Sequence, residues 1–146
     1  MTYDSRPDTL AHIRRVQELL ADVQANLLRR AIAHDMSKLE SPEVEVFDRE
    51  TSNLRAMIYG SDEYKASLVQ GLQHHYANNS HHPEHYPNGI RGMSLLDLIE
   101  MLVDWKAATE RHADGDLLRS IEQNQERFGY TDELKDIFLR TVEELF

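Results

Sequence analysis

The chain of 146 residues carries a formal net charge of −10 and contains no cysteine. Apolar residues make up 40% and charged residues 29% of the sequence, which is typical of a soluble folded protein, and the length predicts a single domain over residues 1–146. The acidic charge disfavours long nucleic acids, whose phosphates need Lys and Arg, and the lack of cysteine excludes disulfides and thiolate metal ligands.

The sequence also predicts where the protein is found. It lacks a run of about 18 apolar residues, which a membrane-spanning helix requires. Its first residues lack the pattern of a secretory signal peptide. We therefore expect no membrane partner and a cytoplasmic location, in a cell or in a phage-infected host. No oligomeric state is predicted.

Apolar residues recur with a period near 3.6, and this pattern predicts an all-α bundle of about six to seven helices. The first helix is predicted to begin near Pro7-Asp8 and to reach about His34. Ser41-Pro42-Glu43 predicts a helix start with an acid in its first turn. Ser94 with Asp97 three residues later predicts a capping box, and Gly129 is predicted to close a helix. The later helices are predicted over residues 41–59, 61–75, 94–112, 116–127 and 131–145, with an Asn-, Pro- and Gly-rich loop over residues 78–93.

The pentapeptide His34-Asp35-Met36-Ser37-Lys38 ends the first predicted helix. Adjacent His and Asp offer a neutral nitrogen and a hard oxygen at one place. This combination suits a catalytic transition-metal ion. The pentapeptide therefore predicts a metal site whose other ligands come from elsewhere in the chain.

Five of the eight histidines lie within residues 74–85, namely His74, His75, His81, His82 and His85. Five ligands on one ion is implausible, so the cluster predicts two ions, or one ion together with donors to phosphate. Glu84 and His85 are interpreted as residues that orient the ligating imidazoles. A surface tract rich in His is the alternative interpretation.

Two further residues downstream are candidates for the site. Asp104 lies ten residues inside the predicted helix 94–112 among apolar neighbours, where a carboxylate needs a partner, and a metal ion would provide one. Glu100, one helical turn earlier, is interpreted as a surface acid. Arg91 is flanked by glycines that allow close approach of the backbone, and its guanidinium group suits phosphate.

The order of these residues resembles the signature of the HD-domain superfamily of metal-dependent phosphohydrolases. The His-Asp-x-x-Lys element and the later His-His pair are most similar to the HD-GYP-type cyclic-dinucleotide phosphodiesterases. The resemblance spans roughly residues 12–104. It implies an HD-domain-like helical fold and one or two divalent transition-metal ions, for which Mn, Fe, Co and Zn are all compatible.

The resemblance also implies roles for individual residues. A first ion would be held by His12, His34, Asp35 and Asp104. A second ion would be held by His75, His81 and His82, with Asp35 bridging and His74 as the alternative to His75. Lys38 is expected to contact substrate phosphate, and Asp8 to orient His12 or to bind a third ion.

A shared ion requires His12 and His34 to lie close together. The two residues are 22 positions apart in sequence, or roughly 33 Å along a straight α-helix at about 1.5 Å per residue. The metal interpretation therefore predicts a turn near Val23 that folds the two halves of the first helix antiparallel.

The expected function is hydrolysis of a phosphoester, in a nucleotide or a similar small phosphometabolite, by a metal-activated water. Lys38 and Arg91 are the expected catalytic residues, since two cations would stabilise the added negative charge. A bound ion would let the acidic protein accept a small anionic phosphorylated substrate. One alternative is an HD-type diiron oxygenase, and another is a non-catalytic module stapled by a metal with closed coordination.

Overall fold

The structure is a computed structural model that describes residues 3–54, 62–111 and 115–146, with side chains at residues 3–49, 69, 71–111 and 115–146. Six α-helices and three short 3-10 helices lie within these ranges, which contain no strand, so the predicted all-α fold is confirmed. None of the helices in the described ranges is long and apolar enough to cross a membrane. The chain forms two compact units, residues 1–34 and residues 35–146, and the single domain remains a prediction.

The first unit is built on helix α1, which runs without interruption over Arg6–Ala33. The predicted turn near Val23 is therefore wrong. Residues 21–26 contain neither Gly nor Pro, and the helix accommodates Asn26 because its side-chain amide donates to the Asp22 carbonyl oxygen at 3.2 Å. Arg29 in turn donates to the side-chain oxygen of Asn26 at 2.9 Å.

The unbroken helix corrects one part of the predicted site. His12 lies in its second turn, and His34 follows its last residue. The two are roughly 33 Å apart at about 1.5 Å per residue. They therefore cannot bind the same ion within one chain, as the sequence-based ligand set required.

The second unit begins with the 3-10 helix η1 (Met36–Leu39), followed by helices α2 (Glu43–Leu54) and α3 (Asp62–Asn78). Helix α2 packs against α3, and η1 lies against both. The close approach depends on Gly71, because a Cβ atom there would lie 3.0 Å from Val46 Cγ1. The predicted helix boundaries at residues 59 and 61 lie outside the described residues.

The rest of the second unit contains two more 3-10 helices, η2 (Pro83–His85) and η3 (Gly89–Gly92), inside the predicted loop. Helices α4 (Leu95–Thr109), α5 (Leu117–Phe128) and α6 (Asp132–Leu145) follow, close to their predicted ranges.

The ends of these helices follow their sequence signals. Ser94 and Asp97 form the predicted capping box at the start of α4. Thr131 caps α6, since its side chain accepts from the backbone of Leu134. Helix α5 ends at Gly129, whose φ of 64° is the left-handed conformation that glycine adopts readily.

Helices α4, α5 and α6 and the 78–93 loop enclose the apolar core of the second unit. Its buried members are Ile90, Met101, Leu102, Leu117, Ile121, Tyr130 and Phe138. Helix α4 contributes Met101 and Leu102 to this core, and it also carries three acids, Asp97, Glu100 and Asp104. The same helix thus belongs to the core and to the polar region described next.

Candidate metal centre

Four side chains of the second unit converge on one point: Asp35, His75, His81 and His82. Each offers one ligand atom, and these atoms all lie within 4.8 Å of one another. Nε2 of His75 is 2.9 Å from Nε2 of His82 and 3.3 Å from Oδ1 of Asp35. Nε2 of His81 lies 3.5 Å from the same Asp35 oxygen. We call these four residues the histidine–aspartate cluster.

Three of the six separations between the ligand atoms of the cluster are close to those around a tetrahedral metal ion. Nitrogen and oxygen ligands about 2.1 Å from such an ion lie about 3.4 Å from each other. The three separations of 2.9, 3.3 and 3.5 Å bracket that value. Three imidazoles and one carboxylate also form a donor set that transition metals accept. The cluster could therefore hold a metal ion.

Asp35 occupies its place through an uncommon backbone conformation. Its φ of 58° and ψ of 11° lie in the left-handed region, which Asp tolerates better than most residues. The side chain points its two oxygens in different directions, because Oδ1 faces His75 and His81 while Oδ2 is 2.6 Å from Nζ of Lys38. Lys38 is thus placed beside the cluster as an ion-pair partner of its one carboxylate.

His75 is held from behind by Glu43, the first residue of α2. Nδ1 of His75 lies 3.0 Å from Oε2 of this fully buried carboxylate, and Nδ1 of His74 lies 2.7 Å from its other oxygen. Burial raises the pKa of Glu43, but hydrogen bonds from His74, Ser37 and His75 outweigh it, so the pKa stays below its usual value. His75 therefore faces the cluster, while its rival His74 pairs with Glu43.

His81 has an equivalent partner on α4. Its Nδ1 lies 3.2 Å from Oε1 of Glu100, and its Nε2 faces Asp35. Glu100 lies one helical turn before Asp104, so both acids are on the same side of α4. One carboxylate oxygen of Asp104 lies within 4.8 Å of one on Asp35, which brings Asp104 to the edge of the cluster.

His82 completes the cluster in a half-buried position. Burial, reinforced by the neighbouring imidazoles of His81 and His75, lowers the pKa of His82 to about 3, against the opposing charges of Asp104 and Asp35. Burial also lowers the pKa of His75, helped by the nearby charge of Lys38. Both imidazoles are therefore neutral at physiological pH, which is the form that binds a metal.

Other predicted site residues lie elsewhere. Glu84 forms an ion pair with Arg127 at 2.5 Å rather than orienting a histidine of the cluster, and the ring of His85 donates to the carbonyl oxygen of Tyr76 at 2.8 Å. Arg91 is exposed in η3, and its role toward phosphate remains a prediction.

Three predicted site residues, Asp8, His12 and His34, belong to the first unit. Asp8 accepts a hydrogen bond from the hydroxyl of Tyr3, and His12 is on α1. His34 caps the end of α1 and is joined to Asp35 by a peptide bond. The role of His34 as a metal ligand remains a prediction.

Sequence reasoning missed Glu43 and Glu100. Glu43 was assigned only to the first turn of a helix, where an acid is expected in any case. Glu100 was interpreted as a surface acid. Its spacing of four residues from Asp104, within an otherwise apolar helix, was the available signal that both acids face the same side.

Comparison with known families supports no finer assignment than this geometry. The chain matches a family of unknown function, DUF5662, over residues 1–145, and it belongs to that family. The match does not assign it to the HD-domain superfamily. No curated protein and no solved structure matches the chain.

Proposed function

We propose that the protein is an HD-like, metal-dependent phosphohydrolase acting on a phosphoester of a nucleotide or similar small phosphometabolite. The histidine–aspartate cluster carries the proposal, because the ligand atoms of three imidazoles and one carboxylate converge on one point. A divalent ion bound there would activate water for attack on phosphorus. The resemblance of the His-Asp-x-x-Lys element to phosphohydrolases supports this choice of reaction.

The charges around the cluster explain why an ion would matter for substrate binding. Asp35, Glu43, Glu100 and Asp104 supply four carboxylates, and Lys38 is the nearby cation. A phosphate would be repelled by these acids, whereas a dication would reverse the local sign. The ammonium group of Lys38 already lies beside Asp35. It can therefore stabilise an oxygen of a phosphate bound next to Asp35.

The second candidate is the metal-stapled module without catalysis. The observation that favours it is the number of ligands, because four protein ligands close a tetrahedral site and leave no position for water. In the hydrolase, one of the four ligands, or an expanded coordination shell, must leave room for water. The two candidates therefore differ in water access to the ion.

To test metal binding, the protein is purified without nickel resin. Its metal content is then measured by mass spectrometry before and after loading with Mn²⁺, Fe²⁺, Co²⁺ or Zn²⁺. We expect His82→Ala to lose the ion. The matched control is His85→Asn, which comes from the same segment and keeps a donor near the position of Nδ1. Equal metal content in both variants would mean that the histidine-rich tract binds metal nonspecifically.

The reaction is tested with a panel of phosphomonoesters and phosphodiesters, with each ion, in air and without air. We expect phosphate or nucleotide release that does not depend on oxygen. Oxygen uptake with no anaerobic cleavage would favour the diiron oxygenase. A tightly bound ion with no turnover on any substrate, and with a Co²⁺ spectrum of closed tetrahedral coordination, would favour the metal-stapled module.

A further inference from the structure

Two imidazoles of the histidine–aspartate cluster are bound in the same way. His75 has Nδ1 on Glu43 at 3.0 Å and Nε2 toward Asp35 at 3.3 Å. His81 has Nδ1 on Glu100 at 3.2 Å and Nε2 toward Asp35 at 3.5 Å. The two carboxylates come from different helices, α2 and α4, so the repetition does not follow from one local turn.

The chemistry of this arrangement determines where each ring carries its hydrogen. An ionised carboxylate only accepts hydrogen bonds, and each ring lies between two carboxylates. The one at Nδ1 is the nearer in both cases, at 3.0 Å against 3.3 Å for His75 and 3.2 Å against 3.5 Å for His81. We therefore assign the N–H to Nδ1, which has the closer acceptor. In a neutral imidazole, the other nitrogen then carries the lone pair. For both rings this nitrogen is Nε2, which faces Oδ1 of Asp35, at the centre of the cluster.

Ser37 and Asn79 also lie near Nδ1 of His75. The Ser37 hydroxyl, 3.5 Å from Nδ1, donates to Oε2 of Glu43 at 3.2 Å. Asn79 does not compete for that nitrogen either. Its amide nitrogen lies 3.0 Å from Nδ1. However, its two hydrogens are used by Ser37 Oγ and the His75 carbonyl oxygen, each at 2.8 Å. The hydrogen on Nδ1 of His75 therefore belongs to the bond with Glu43.

We infer that Glu43 and Glu100 are positioning residues that hold His75 and His81 with their Nε2 lone pairs directed at the proposed ion. The inference rests on the proposed function for the ion itself, but the ring orientation exists without it. Glu43 has the stronger position because it is fully buried and also accepts from Ser37 Oγ at 3.2 Å. It thereby links η1, α2 and α3 around His75.

The first test reads the tautomers directly in metal-free protein. Wild type labelled with ¹⁵N-histidine should show the Nδ1–H tautomer for His75 and His81 in long-range proton–nitrogen spectra, with assignment by His75→Gln and His81→Gln. Glu43→Gln should reduce this tautomer at His75 alone, and Glu100→Gln at His81 alone. An Nε2–H tautomer at both rings of wild type would overturn the inference.

The second test measures affinity for Co²⁺ and Zn²⁺ by competition with a chelator. Loss of a group that orients a ligating histidine typically lowers metal affinity by about 10–100-fold, and we expect this for Glu43→Gln and for Glu100→Gln. Glu45→Gln is the matched control, since Glu45 is also in the first turn of α2 but exposed. If Glu43→Gln folds, binds Co²⁺ and Zn²⁺ with wild-type affinity and keeps the wild-type tautomer of His75, then Glu43 does not position His75.

The outcomes separate this inference from the proposed function. Wild type that binds no metal would contradict the proposed function, while its tautomers would still test the positioning. Metal binding and turnover that survive both Glu variants unchanged would contradict only the positioning. If Glu43→Gln does not fold, the inference is tested by the metal affinity and the His81 tautomer of Glu100→Gln, together with the tautomers of His75 and His81 in wild type.

Discussion

The second unit contains two buried regions of opposite character. Between α4, α5 and α6, the buried side chains are almost all apolar, as in Met101, Ile121 and Phe138. Around η1, α2 and α3, the most deeply buried of the side chains that the structure describes are polar, as in Glu43 and His75. The apolar region is stabilised by removal of surface from water. The polar region needs matched hydrogen bonds, because a buried carboxylate without partners is costly.

This contrast separates stability from function in one compact unit. An apolar core tolerates change in charge state and solvent, since it contains few ionisable groups. The polar region depends on the protonation of its His and Asp residues and, under the proposed function, on a bound ion. Substitutions in the two regions should therefore affect different measurements.

The largest effect is expected from Asp35→Ala. The change removes the one carboxylate of the histidine–aspartate cluster, and imidazoles cannot replace its negative charge. We expect loss of metal binding and of turnover together, with the far-ultraviolet circular dichroism of a helical protein retained. Asp48→Ala, at an exposed position of α2, is the control and should behave as wild type.

Asp35→Asn distinguishes charge from backbone strain in that experiment. Asn adopts the left-handed conformation as readily as Asp, so the turn before η1 should persist. Metal binding retained by the Asn variant but lost by the Ala variant would point to the backbone. Full activity in Asp35→Ala would contradict the proposed mechanism.

The apolar region is tested by Phe138→Ala. Phe138 is 3% exposed and packs edge-to-face against Tyr130 and Trp105. Truncation of a buried Phe lowers the free energy of unfolding by about 3–5 kcal/mol, which urea denaturation measures. The neighbouring Ile137→Ala, at a position 55% exposed, should change it by less than about 0.5 kcal/mol. Equal losses in the two variants would contradict the described core.

Sequence reasoning succeeded where the signal was local. The capping box of Ser94 and Asp97, and the end of α5 at Gly129, were predicted because each depends on a few adjacent residues. The His-Asp pair and the His-rich segment also pointed to Asp35, His75, His81 and His82, whose ligand atoms converge in the structure; their role as metal ligands stays a prediction. Imidazoles and carboxylates near each other in sequence have few other roles in such density.

The failures concern long-range geometry. The turn near Val23 was required by the ligand set of the resembled superfamily, but residues 21–26 contain neither Gly nor Pro, so the helix continues. Glu43 and Glu100 lie far from the histidines they contact, 32 residues before His75 and 19 after His81. Only the packing of α2 and α4 reveals these contacts. An acid in a first turn, such as Glu43, is expected in any helix, and the spacing of Glu100 from Asp104 indicates a shared helix face but not the histidine that Glu100 contacts.

Lys38→Ala examines the polar region without removing a ligand. Lys38 contacts Asp35 Oδ2, while the cluster uses Oδ1. We expect metal content to stay at the wild-type level and turnover to fall by about 10²–10³-fold, the usual effect of removing one charge-stabilising donor. Unchanged turnover would mean that Lys38 only pairs with Asp35. Lys135→Ala, on α6, is the matched control.

The smallest effect is expected from Asp97→Asn, at the place where the two regions meet on α4. Asp97 is 4% exposed and accepts from Ser80 Oγ, Tyr86 Oη and the backbone and hydroxyl of Ser94, at 2.7 to 2.9 Å. These bonds overcome the opposing effect of burial and hold the pKa of Asp97 well below its usual value. Asn keeps an acceptor oxygen but loses the charge, which we expect to lower the free energy of unfolding by about 1–3 kcal/mol at pH 7.

The pH dependence of that difference has a defined sign. Because the pKa of Asp97 is lower in the folded than in the unfolded protein, the stabilisation is fully present above the unfolded value of about 3.9. It is lost as the pH falls from there through the folded value. The gap in unfolding free energy between wild type and Asp97→Asn should therefore be constant from pH 7 to about pH 5 and shrink toward pH 3. Urea denaturation of both proteins over this range measures the gap, and taking the difference cancels the titration of the other acids. A gap that stays constant down to pH 3 would show that the carboxylate charge is not what ties the 78–93 loop, and with it His81 and His82, to the start of α4.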